Sequence, residues 1–174
     1  MCSSDLDARN ESGLQQGRAR MDFRDLIARD CIVPAMRAKT KKQVLQDLAE
    51  VAAQKAGLDP RDVYDTLLRR ERLGSTGVGR GIAIPHARMA AVKSITCVFG
   101  RLGERVAFDS PDNEGVDLVF LLLAPEDAGA DHLKALARIS RLLREPAMVE
   151  RLRAAKTPDA IYAVLTDPIA SNAA

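Results

Sequence analysis

The segment 69–88, RRERLGSTGVGRGIAIPHAR, concentrates the residues best suited to chemistry. Gly74, Gly77, Gly79 and Gly81 crowd this stretch. Glycine permits positive φ and close backbone approach, and successive N–H groups in such a turn form anion-binding nests. Two nucleotide motifs are excluded. A Walker loop needs Lys-Ser/Thr after its last glycine, where Arg80-Gly81 stands. A dinucleotide fingerprint needs GxGxxG between a strand and a helix, whereas these glycines follow a helical stretch at alternate positions. Ile84-Pro85-His86 closes the segment. Proline fixes φ and removes a donor, which stiffens the backbone that presents the histidine. A neutral imidazole is a good nucleophile, and with a pKa near ~6.5 it is mostly neutral at cellular pH. Arg70, Arg72, Arg80 and Arg88 flank the loop, and arginine grips phosphoryl groups bidentately. A histidine after a proline is also an ordinary turn residue, and such charge runs also form solvated faces. No carboxylate pair of hydrolase type and no nearby Ser or Cys nucleophile competes. The residue types point to an anion or phosphoryl site, and spacing alone goes no further.

Composition bounds what can hold such a site. The chain has 174 residues, about one domain. It is 47% hydrophobic and 29% charged, which is globular. Its formal net charge of +2 disfavours a nucleic-acid coat or a polybasic membrane binder. Aromatic content of 3% leaves little for base stacking. Cys2, Cys31 and Cys97 form no CxxC pair, so neither a zinc ribbon nor any other metal site is expected, and unpaired thiols fit the cytoplasm. The apolar run Val119 to Ala124 is far short of the ~20 residues that a membrane helix needs. Residues 1–20 are expected to be a disordered extension, with Met21 as the start of a domain over 21–168 and a tail at 169–174.

The elements follow from periodicity and caps. A short strand is expected at Cys31 to Pro34. Thr40 and Gln43 form a capping-box signature ahead of a helical stripe of Val44, Leu45, Leu48, Val51 and Ala52 that ends near Gly57. Asp59-Pro60 opens a second helix that stops around Leu73-Gly74. Ile82 to Ile84 is a short apolar stretch broken at Pro85. Ile95 to Phe99 reads as a strand, and Val106 to Phe108 as a short hairpin partner. Val116 to Leu123, nearly unbroken in apolar residues, reads as a central strand covered on both faces. Asp131 is expected to cap a helix whose buried face is Leu133, Leu136, Ala137, Ser140 and Leu143. Pro146 and Thr157-Pro158 open two short helices. The class is α/β (mixed α+β): a three-layer α/β/α arrangement with a small mixed sheet covered by helices on both faces.

Arg70-Glu71, then Ser75-Thr76-Gly77-Val78-Gly79, then Gly81-Ile82-Ala83-Ile84-Pro85-His86 closely resembles the signature of type-2 enzyme IIA domains. These belong to the phosphoenolpyruvate-dependent phosphotransferase system, in the mannitol/fructose superfamily. The resemblance extends over roughly Met21 to Asp167, and the glycine-loop wording is most similar to the nitrogen-regulatory branch. One departure is Ala87-Arg88, where that branch often has Gly before a basic residue; the extra methyl leaves the nucleophile in place. The resemblance implies a phosphotransferase-type carrier. His86 would accept a phosphoryl group from a small histidine phosphocarrier protein (HPr-like), Arg70 would contact that group, and His132 would be the neighbouring site histidine. Read without the resemblance, His132 is a polar residue on a helix's first turn. Thr76, Gly77, Gly79 and Gly81 would shape the phosphate cradle. No cofactor is implied. The partners would be that carrier protein and either regulatory targets or a sugar-permease IIB domain on a separate chain. A sugar-uptake IIA and a non-catalytic anion-binding module are the alternative readings.

Overall fold

The computed structural model describes residues 22–167. The expected extension and tail at 1–20 and 169–174 lie outside the described residues. The chain opens with a single-turn helix α1 (Phe23–Leu26), capped by the Asp22 carboxylate, and a 3₁₀ turn (Arg29–Cys31). Strand β1 (Ile32–Met36) follows. Helix α2 (Lys41–Ala56) begins where predicted: Thr40 Oγ1 accepts from Gln43 N at 3.2 Å, and Gln43 Oε1 reaches back to Lys39 N at 2.9 Å. Gly57 ends α2 with φ of 70°, the left-handed conformation that glycine adopts without penalty. Helix α3 (Pro60–Arg72) starts from the Asp59 cap with proline in its first turn.

Two strands, at Gly77–Gly79 and His86–Met89, have no counterpart in the sequence patterning. The glycine loop contains β2 (Gly77–Gly79), and β3 (Ile82–Ala83) and β4 (His86–Met89) follow directly. β5 (Thr96–Val106) is one long strand, so Val106 is its end and not the start of a hairpin partner, and Phe108 lies outside it. Gly100 and Gly103 both lie within it. Gly100 is there because a Cβ would come within 2.3 Å of Met36 Sδ and 3.0 Å of Leu48 Cδ2. β6 (Val116–Pro125) is antiparallel to β5, pairing Phe99 with Phe120 and Val106 with Val116.

The sheet order is β1-β5-β6-β3-β2, with β4 also on β6. β1 runs parallel to β5, β3 and β4 run parallel to β6, and β2 is antiparallel to β3, so the sheet is mixed. β6 is the central strand, fully buried from Leu118 to Ala124. Helices cover both faces. The side of Gly100 meets Leu48 of α2. On the opposite side, Phe99 stacks on Phe120 at 4.8 Å between centroids, Phe120 meets Phe23 of α1, and Arg138 lies over Phe23.

Three helices complete the chain: α4 (Gly129–Arg144), α5 (Pro146–Ala154) and α6 (Pro158–Leu165). Two expectations for α4 are corrected. Asp131 does not cap it; the cap position is Ala128, with no side-chain cap bond, and Asp131 sits in the first turn. The buried face is His132, Ala135, Ile139, Leu142 and Leu143, about one residue round from the predicted stripe, and Leu133 is 67% exposed. The true face starts with a histidine, which hydrophobic periodicity does not count as an inward residue. No helix among the described residues is long and apolar enough to cross a membrane.

Candidate functional site

A break in a strand presents His86. β3 and β4 lie along the same edge of β6, β3 opposite Leu118 and Val119, β4 opposite Leu122 to Pro125. Between them the chain leaves the ladder at Ile84-Pro85. Ile84 N turns to Thr76 O at 2.9 Å, and proline has no N–H to offer, while its carbonyl accepts from Leu122 N at 2.9 Å. The Ile84 carbonyl is thus available to the imidazole of His86, whose Nδ1 lies 2.8 Å from it. A carbonyl can only accept, so this contact holds the proton on Nδ1 and leaves the lone pair on Nε2. Along β4, His86 is half-buried, Ala87 buried and Arg88 exposed, the alternation of a strand with one face inward.

The first turn of α4 brings His132 against His86. The two imidazole centroids are 5.6 Å apart and their planes tilt by 57°. His132 is only 7% exposed, and its Nε2 is buried with no hydrogen-bond partner. Burial, then the neighbouring His86 and Arg88, hold its pKa below the ordinary histidine value. An uncharged imidazole and a helix N-terminus without a side-chain cap together form a place ready for an anion.

The other predicted residues have different placements. Arg70, in the last turn of α3, donates Nη1 to Gly74 O at 3.0 Å, which ties the start of the glycine loop to the helix. Thr76 does not turn its hydroxyl outward as a cradle donor. It is buried, donating Oγ1 to Glu71 Oε2 at 2.6 Å and its N–H to Glu71 Oε1 at 2.9 Å. Glu71 in turn pairs with Lys41 Nζ at 2.7 Å. A Cβ on Gly77 would lie 2.3 Å from Ser110 Oγ, and Gly81, at φ of 81°, faces Arg153 and Asp117. The Arg80 N–H donates to Asp112 Oδ2 at 2.9 Å. The loop's glycines therefore serve close packing, and one of its amides already holds a carboxylate of the same chain.

Sequence reasoning missed the Lys41–Glu71–Thr76 network and the fork from Arg153 to Asp117 (2.9 and 3.0 Å) and the Arg80 carbonyl (2.8 Å). Glu71 is next to Arg70 in the signature, but only the fold shows it turned inward. Among the described residues no thiol competes as a nucleophile: Cys31 and Cys97 are buried, and burial pushes Cys31 up to about 11 and Cys97 higher still. Among the described residues, no three His, Cys, Asp or Glu side chains gather to hold a metal ion.

The chain is similar to known proteins over most of its length. Residues 25–167 match the family model described as phosphoenolpyruvate-dependent sugar phosphotransferase system, EIIA 2. The chain is 51% identical over 153 residues to a nitrogen regulatory protein of Bradyrhizobium diazoefficiens, covering 88% of this chain and 100% of the relative. It is 36% identical over 149 residues to the nitrogen regulatory protein of Escherichia coli, covering 84% and 91%. Among solved structures, nitrogen regulatory protein IIA-Ntr from Neisseria meningitidis superposes with a TM-score of 0.79 at 35% identity, covering 83% of this chain and 99% of that one.

Proposed function

The chain belongs to the EIIA 2 family of the phosphoenolpyruvate-dependent phosphotransferase system, and on that premise we propose that it is the nitrogen-branch phosphocarrier, phosphorylated on His86 and acting in the cytoplasm. The full-length similarity to nitrogen regulatory proteins supports a regulatory carrier over a sugar-uptake IIA. The observation that carries the reading is the pairing of an imidazole anchored through Nδ1 with a buried, unpartnered second imidazole.

The proposed step is balanced as follows. Nε2 of His86 attacks the phosphorus of a phosphohistidine on a small carrier protein. The new N–P bond forms as the donor N–P bond breaks, and that bond's electron pair returns to the donor nitrogen. The proton stays on Nδ1, hydrogen-bonded to the Ile84 carbonyl, throughout. The transition state is loose and in line, so positioning and charge stabilisation carry the catalysis. His132 and the first turn of α4 face the incoming anion. Arg70 contacts the phosphoryl group with the part of its guanidinium not bonded to Gly74 O. The carrier then presents its phosphorylated or unphosphorylated face to regulatory targets, the family's IIB domains being the other class of partner.

Incubation with phosphoenolpyruvate and the general phosphotransferase components should label the chain with acid-labile phosphate, and His86→Ala should abolish the label. Stoichiometric labelling of the His86→Ala chain contradicts the proposal.

A further inference from the structure

The arginines around the site divide by what they already hold. Arg153 is committed to Asp117 and the Arg80 carbonyl. Arg101 reaches the Arg153 and Pro34 carbonyls at 3.0 and 3.2 Å. Arg70 has one nitrogen on Gly74 O. Arg88 differs from all three: its guanidinium makes no hydrogen bond or ion pair among the described residues. It also stands two residues from His86 on β4, so both side chains leave the same face of the strand, with Ala87 turned inward between them. Its Nη1 would lie 3.6 Å from a Cβ built on Gly129, the first residue of α4, and its charge reaches His132 one turn further on.

Resting on the reading of His86 as the acceptor, we propose that Arg88 is a second phosphoryl-binding residue. Its guanidinium takes equatorial oxygens of the group on His86 Nε2 from the side of α4, opposite the imidazole's anchor on Ile84. Three observations converge. An exposed arginine with a full set of unpaired donors stands next to the nucleophile on one strand face. The turn it lies over has no side-chain cap. The imidazole behind that turn is buried with an orphaned Nε2. Empty, this arrangement sets a cation beside a histidine that burial keeps neutral; filled by a phosphoryl dianion, it satisfies both. Arg88 thus has two linked effects, binding the transferred group and helping to hold His132 unprotonated until that group arrives.

The test is single-turnover transfer from the phosphorylated carrier protein to the full chain and its Arg88→Gln and Arg88→Lys variants, with ³¹P spectra of the isolated phosphoproteins. Arg88→Gln should lower the saturating transfer rate about ten- to a hundredfold, the span that a charged hydrogen bond supplies. It should also shift the phosphohistidine ³¹P resonance and raise the His132 titration midpoint in the unphosphorylated protein, with Arg88→Lys recovering part of each. Arg88→Gln with an unchanged saturating rate and ³¹P spectrum, and only weaker donor binding, overturns the proposal and leaves Arg88 a docking residue. If the parent chain takes no label, the acceptor reading itself fails, which separates the two outcomes.

Discussion

The glycine loop and the first turn of α4 both border His86 and are built on opposite principles. In the loop, donors and acceptors are matched within the chain: Thr76 to Glu71, the Arg80 amide to Asp112, the Arg80 carbonyl to Arg153, Ser75 Oγ to the Phe108 carbonyl. In the α4 turn, the cap position has no side-chain bond, His132 Nε2 has no partner, and Arg88 beside it has none either. Buried polar groups are normally satisfied, so the unpartnered Nε2 of His132 sets the turn apart. The contrast separates roles. On the proposed reading, the loop holds the backbone that aims His86, and the turn faces the group that His86 would carry.

Substitutions that attack the loop should therefore act on stability, in proportion to how completely its groups are matched. The largest effect is expected at Glu71. Glu71→Ala removes the partner of both the Thr76 donors and Lys41, leaving polar groups unpaired in a nearly closed environment. Breaking such a buried pair costs about 3–5 kcal/mol, readable as a lower midpoint in urea unfolding. Gly77→Ala comes next. A Cβ there meets Ser110 Oγ at 2.3 Å and the Ser110 Cα at 3.2 Å, so backbone as well as side chain must give. Overpacking of this kind costs about 1–3 kcal/mol.

Substitutions in the turn should do the reverse. His132 has a depressed pKa in the folded protein, so the unfolded chain binds its proton more readily. Its contribution to stability is present above the unfolded value of about 6.5 and is lost as pH falls from there toward the folded pKa. His132→Gln should flatten the pH dependence of stability in that window while slowing phosphoryl transfer; an unchanged slope would mean that His132 is not held neutral. The smallest effect is expected one residue on. Leu133→Ala, on the exposed side of α4, should change stability by no more than about 0.5 kcal/mol. A large loss there would restore the rejected helix face.

Local chemistry was legible in the sequence. Thr40, Asp59 and Thr157 cap the helices they precede, Gly57 ends α2, and the apolar run of β6 lies at the centre of the sheet. These signals depend on residues within a few positions of one another. His86 stood out because proline and the glycines frame it, and its closeness to His132 entered only through the family resemblance. What stayed hidden depends on long-range packing. That β5 runs on past Phe99 through Gly100 shows only once Met36 and Leu48 are seen to pack against that glycine. Helix α4 turns a histidine inward and a leucine outward, against periodicity, which sets His132 beside His86. Thr76 reads as a cradle hydroxyl until Glu71 is seen to take its donors.

The central claim is that the Nδ1 contact with the Ile84 carbonyl leaves Nε2 of His86 as the atom that carries phosphate. Heteronuclear ¹⁵N–³¹P NMR of the phosphorylated, ¹⁵N-labelled chain tests it most directly. The predicted result is phosphorus coupled to Nε2 of His86, with Nδ1 still protonated. Phosphorus on Nδ1 of His86, or on His132, would contradict it.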